Sequence, residues 1–138
     1  MRAHRVTKTE EFRIRVIEGI QVLGDIRGKL LFKGKYALLA RITLSRGTKT
    51  PPHRHAHESF IYLLKGRVRT RVEDKTYTLT SDESIFHPPG VIHSVEALTD
   101  STWLEVKAPP QEPWRPKRPK NLLREQAPGL APKSKFKY

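Results

Sequence analysis

Two short segments carry most of the side chains able to do chemistry: Pro52-His53-Arg54-His55-Ala56-His57-Glu58 and, further along, Pro88-Pro89-Gly90-Val91-Ile92-His93. They hold four of the chain's six histidines. Residues two apart on a strand point to one face, so His53 and His55 can reach a single ion together, with His93 brought in by the fold. Neutral imidazole suits Zn, Fe, Ni and Cu, and with oxygen ligands also Mn. The expected cofactor is one divalent metal ion of the Fe, Mn, Zn, Ni or Co group. His57 shares the parity of His53 and His55 and is a candidate fourth ligand, as is Glu58. The same two residues, His57 and Glu58, are the candidates for moving a proton. If three imidazoles are the only protein ligands, the ion keeps its full charge and open positions, a setting for anionic, chelating ligands. His87 alternates away from the pocket and is read as structural or exposed. Glu105 lies mid-strand and by default faces outward.

The elements that must position these residues are short strands. Phe12, Ile14 and Val16 alternate with Arg13 and Arg15, the pattern of a half-buried strand. Gly19, Gly24, Gly28 and Gly34 then punctuate short apolar pieces, which reads as hairpins in a meander. Tyr36 to Leu44 is a longer strand with Leu38, Ala40, Ile42 and Leu44 inward. Strands follow over residues 59–64, 67–72, 76–79, 84–86, 91–95 and 102–106. No segment before residue 108 shows a 3.6-residue period. Many short strands between regular turns mean a sandwich or a barrel. Phe60, Tyr62, Phe86 and Trp103 are assigned to the core.

The 138 residues hold no cysteine, which excludes disulfides, thiolate metal sites and cysteine nucleophiles. That fits a cytoplasmic protein. No apolar run is long enough to cross a membrane, and no signal peptide is expected from the basic but non-apolar start. The formal net charge is +13. Residues 1–107 carry 19 Lys+Arg against 12 Asp+Glu, and residues 108–138 carry 8 against 2. Seven of the eleven prolines fall between Pro109 and Pro132. The expected division is an N-terminal arm (1–11), a β-barrel (12–107) and a Pro/Lys/Arg-rich extension (108–138), in which Trp114 could anchor the segment to the barrel or to a neighbouring subunit. Lys65, Arg67, Arg69 and Arg71 form a basic stripe read as a solvated outer face.

Taken together, the two histidine segments resemble the cupin superfamily. Its first motif reads G-x5-H-x-H-x3,4-E-x6-G, and here Gly47, His53, His55 and Gly66 fall in register. Its second reads G-x5-P-x-G-x2-H-x3-N, and Pro88, Gly90 and His93 match its centre. Three positions depart from the pattern. Ser59 stands at the carboxylate, with Glu58 one residue off register. Asp82 stands at the opening glycine and Ala97 at the closing asparagine. The resemblance implies an all-β double-stranded β-helix, the jelly-roll barrel, commonly a homodimer with one metal bound by three histidines and a carboxylate.

The leading expectation is therefore a metal-dependent enzyme of the dioxygenase, isomerase or lyase class acting on a small polar or acidic metabolite. A non-catalytic small-molecule sensor is the alternative. A nucleic-acid-associated protein working through the basic extension is a third reading, unfavoured because no nucleic-acid motif accompanies the charge.

Overall fold

The computed structural model describes residue 3 and residues 5–110. A short 3-10 turn, Val6–Lys8, precedes nine strands. These are β1 (Glu11–Ile17), β2 (Ile20–Lys33), β3 (Leu38–Leu44), β4 (Glu58–Lys65), β5 (Val68–Val72), β6 (Lys75–Leu79), β7 (Ser84–His87), β8 (His93–Ala97) and β9 (Ser101–Ala108). They build two antiparallel sheets. One has the order β1-β2-β3-β9-β4-β7, the other β6-β5-β8. The architecture is the all-β jelly roll expected. No helix among the described residues is long and apolar enough to cross a membrane.

The inward faces follow the two-residue period of a strand. On β3, Leu38, Ala40, Ile42 and Leu44 are all buried. On β5, Val68 and Thr70 face in while Arg69 and Arg71 face out. These side chains meet Ile26, Ile61, Leu63, Val95 and Trp103 in one core. Each fully buried Leu or Ile contributes on the order of 1.5–3 kcal/mol.

Three local readings are corrected. The glycine-punctuated segment is not a series of hairpins: β2 runs unbroken through Gly24 and Gly28 for 14 residues. These glycines mark close packing. A Cβ on Gly24 would sit 2.8 Å from the Thr48 Cα, and one on Gly28 would sit 3.1 Å from the Phe12 ring. In β1 the register shifts between Ile14 and Val16, leaving Val16 56% exposed and turning Ile17 inward. A bulge flips parity in this way. Phe60, Tyr62 and Phe86 are not core. They lie on the outer face of β4 and β7, where Phe60 and Phe86 pair across the strands with stacked rings. Trp103 is buried as expected.

Two motif positions have a backbone reason. Gly66 has φ 96°, and a Cβ there would collide with the Asp100 carbonyl and the Ser101 side chain. Asp82, at the motif's opening glycine, has φ 70°, in the left-handed region that glycine enters freely. Aspartate tolerates that region better than most residues. Ala97, at the asparagine position, is buried in the core. The proposed extension lies outside the described residues from 111 onward, and with it Trp114.

Candidate metal centre

The loop between β3 and β4 and the start of β8 are joined by backbone. His53 N–H donates to the His93 carbonyl at 3.0 Å, and His93 N–H returns a bond to the His53 carbonyl at 2.9 Å. Gly90 N–H donates to the His55 carbonyl at 2.7 Å. Residues paired in this way across an antiparallel bridge project their side chains to the same face. The result is that His53, His55 and His93 are all buried, with one ring nitrogen from each lying within 4.8 Å of the others. Ring centroids are 4.6 Å apart for His53–His55, 4.3 Å for His53–His93 and 5.1 Å for His55–His93.

The Nδ1 atom of each ring is already engaged. His53 Nδ1 lies 2.6 Å from the Pro51 carbonyl and His93 Nδ1 3.0 Å from the Val91 carbonyl. His55 Nδ1 lies 2.7 Å from Glu18 Oε2, 37 residues away in sequence. An acceptor at Nδ1 makes that nitrogen the N–H and leaves Nε2 with its lone pair. Burial is the main reason all three rings are neutral. It lowers His53 and His55, the latter with help from the Lys107 charge, and takes His93 down to about 3 with help from His87. The His55–Glu18 contact is therefore an N–H donated to a carboxylate and not an ion pair. Three neutral imidazoles with free Nε2 atoms at one point fit a divalent transition metal.

The fourth position differs from the motif. Ser59 is buried at the carboxylate position, and its Oγ has no hydrogen-bond partner among the described residues. Glu58 shares the parity of exposed Phe60 and Tyr62, and the structure does not bring it to the cavity. His57 is buried and stacks on His55, with centroids 4.3 Å apart. Its Nε2 receives the Lys107 ammonium at 3.1 Å. Burial first, then Lys107, pushes His57 down to about 3.

Several residues on the cavity wall escaped the sequence reading. Trp103, Glu105 and Lys107 alternate along β9 and all face inward, so Glu105 is not outward as expected. Trp103 Nε1 donates to Glu105 Oε1 at 2.9 Å, and Lys107 Nζ lies 2.9 Å from Glu105 Oε2. Burial alone would raise the Glu105 carboxyl; Lys107 and the Trp103 bond outweigh it and hold it below its usual range. His87 also faces in. It stacks on His93 at 4.1 Å, its Nε2 is 3.2 Å from Thr70 Oγ1, and burial lowers it to about 4. The alternation argument failed there because it places Phe86 inward on β7; Phe86 is exposed and stacks on Phe60, so its neighbour His87 takes the inward face. The cavity these groups share with Ile17, Ile42 and Ile61 is about 40 Å³. At roughly 10–15 Å³ per water it admits a few atoms, not a whole metabolite. Outside it, two clefts flank Arg54, one lined by His53, the other by His55.

The described geometry has relatives. The family model described as cupin domain matches residues 40–107. An uncharacterized protein of Methanocaldococcus jannaschii is 24% identical over 97 residues, covering 68% of this chain and 78% of its own length. An RmlC-like cupin from Shewanella frigidimarina superposes with TM-score 0.72 at 21% identity, over 81% of this chain and 94% of that one. A predicted oxalate decarboxylase from Thermotoga maritima superposes with TM-score 0.67 at 24% identity, over 75% and 96%. At these identities the solved structures speak for the fold alone.

Proposed function

The chain belongs to the cupin superfamily, and from that premise we propose that it is a metal-dependent enzyme acting on a small acidic metabolite, with His53, His55 and His93 as the metal ligands. The observation that carries this is the convergence of three buried imidazoles whose Nδ1 atoms are all engaged. A divalent ion held there would supply Lewis acidity, with no carboxylate among its three proposed ligands.

The chain's own residues shape what can enter. The apolar wall and the 40 Å³ volume admit only the head of a ligand. The Glu105–Lys107 pair is neutral as a unit, so the charge an incoming anion meets is that of the metal site. Lys107 lines the same cavity and is the proton donor of this reading, held by Glu105 and His57. His57 is a poor base near neutrality, since its proton affinity is depressed to about 3. The remainder of the ligand would lie in the outer clefts beside the exposed Arg54 guanidinium. Oxygenation, isomerisation and lyase chemistry all suit such a site. The homodimer expected of the family belongs to the same proposal, with the exposed Phe60, Tyr62 and Phe86 as the surface to be covered.

Elemental analysis and thermal melting test the reading. Protein purified without chelator should carry stoichiometric metal, and its melting temperature should drop on EDTA treatment and return with added metal. A metal-free protein, indifferent to Mn, Fe, Co, Ni and Zn, would overturn it.

A further inference from the structure

The turn joining β1 to β2 consists of Glu18 and Gly19, both at positive φ, 49° and 78°. Two successive residues of that kind make a type I′ hairpin, where Asn, Asp and Gly are favoured at the first position. A glutamate is poorly suited to it, because a side chain in the left-handed region costs roughly 1 kcal/mol. The turn therefore does not account for Glu18. What the residue does with its reach is place Oε2 at 2.7 Å from His55 Nδ1.

His53 and His93 differ from His55 in one respect. Their Nδ1 atoms face carbonyls two residues back in their own segments, Pro51 and Val91. Their orientation is set locally. That of His55 depends on a side chain from another hairpin, outside residues 40–107 that match the family model. The same hairpin tip forms a wall of the cleft over His53, through Glu18 and Ile20 facing Pro52 and Ile92.

We propose that Glu18 is a positioning residue of the metal centre, fixing the His55 ring through its Nδ1–H and so linking the order of the β1–β2 tip to metal occupancy. The inference rests on the three-histidine metal site proposed above. A carboxylate behind a ligating imidazole fixes its tautomer and raises its basicity, and removing such a partner typically weakens metal binding about 10–100-fold. Linkage is reciprocal: if the Glu18 contact favours metal, metal favours the contact. Bound metal should therefore slow amide exchange at residues 17–20.

The test is a Co(II) titration of the metal-stripped full-length chain, read by visible absorption and competition with a chelator, with His53→Ala as the reference for loss of the site. Expected are a 10–100-fold weaker Kd for Glu18→Ala and a smaller loss for Glu18→Gln, which keeps an acceptor without the charge. Glu18→Asn suits the turn better. It should leave the metal-free melting temperature level or higher while still weakening Co(II), a split that a merely structural role would not produce. Metal-induced slowing of exchange at 17–20 should vanish in Glu18→Ala. If wild type binds Co(II) and Glu18→Ala binds it equally well, the role of Glu18 is overturned while the metal site stands. If wild type binds no Co(II), both fall.

Discussion

His53 and His93 exchange two backbone hydrogen bonds, at 3.0 and 2.9 Å, across a gap of forty residues in sequence. This bridge links the two histidine segments at one point. It also stacks the His53 and His93 rings edge to face at 4.3 Å, before any ion is considered. The His53 and His93 donors are built into the barrel's backbone hydrogen-bonding, and His55 alone leans on a side chain, that of Glu18. That preorganisation lowers the ordering cost of binding.

The Glu105–Lys107 pair is a second fixed feature, with both side chains nearly inaccessible. Breaking a buried pair by removing one partner leaves an uncompensated charge and costs about 3–5 kcal/mol. Lys107→Met should therefore destabilise the chain by that order in urea unfolding. The double variant Glu105→Leu/Lys107→Met should recover most of the loss. A single variant within about 0.5 kcal/mol of wild type would show that the pair is not dry and buried.

Acid should destabilise the metal-free protein well above the carboxylate range. Histidines in the unfolded chain take up protons near pH 6.5. In the folded chain His57 and His93 do so only near 3 and His87 near 4. Between those limits the unfolded state binds more protons, so stability rises with pH. It is fully present above about pH 7 and is lost progressively as pH falls below 6.5. The depressed Glu105 carboxyl adds a loss of the same sign at lower pH, below the ordinary glutamate value. Melting temperatures in EDTA from pH 8 to pH 5 check this, and a flat profile would contradict it.

Gly66→Ala should destabilise the chain by at least about 2 kcal/mol, from the left-handed backbone together with a collision at Asp100 and Ser101. Gly47→Ala shares the positive φ, 86°, but meets open space. It should lose only the backbone part, roughly 1 kcal/mol. Equal losses in denaturant unfolding would refute the packing argument.

Legibility in the sequence tracked how local the deciding interaction was. The i, i+2 spacing of His53 and His55 pointed to the grouped imidazoles, because two-residue alternation puts both on one face, although in the structure both lie in the β3–β4 loop. The β3 and β5 faces were readable for the same reason. Parity failed at the β1 bulge before Val16, and on β7 because Phe86, assigned to the core, faces out and leaves the inward side to His87. On β9 Trp103 read as core and Glu105 as outward, yet Trp103, Glu105 and Lys107 share one inward face. Burial of Glu105 and Lys107 is made tolerable by each other, by Trp103 and by His57, and such a network leaves no local pattern. Glu18 was invisible for the same cause: its partner is 37 residues distant.

The central claim is most directly tested by X-ray absorption at the metal edge of the Co(II)-loaded full-length chain, compared with His93→Ala. The account predicts three imidazole nitrogens at ~2.0–2.1 Å, the range for histidine at Zn(II) taken here for Co(II), with one fewer in the variant. A shell of oxygen atoms alone, or one that His93→Ala leaves unchanged, would contradict it.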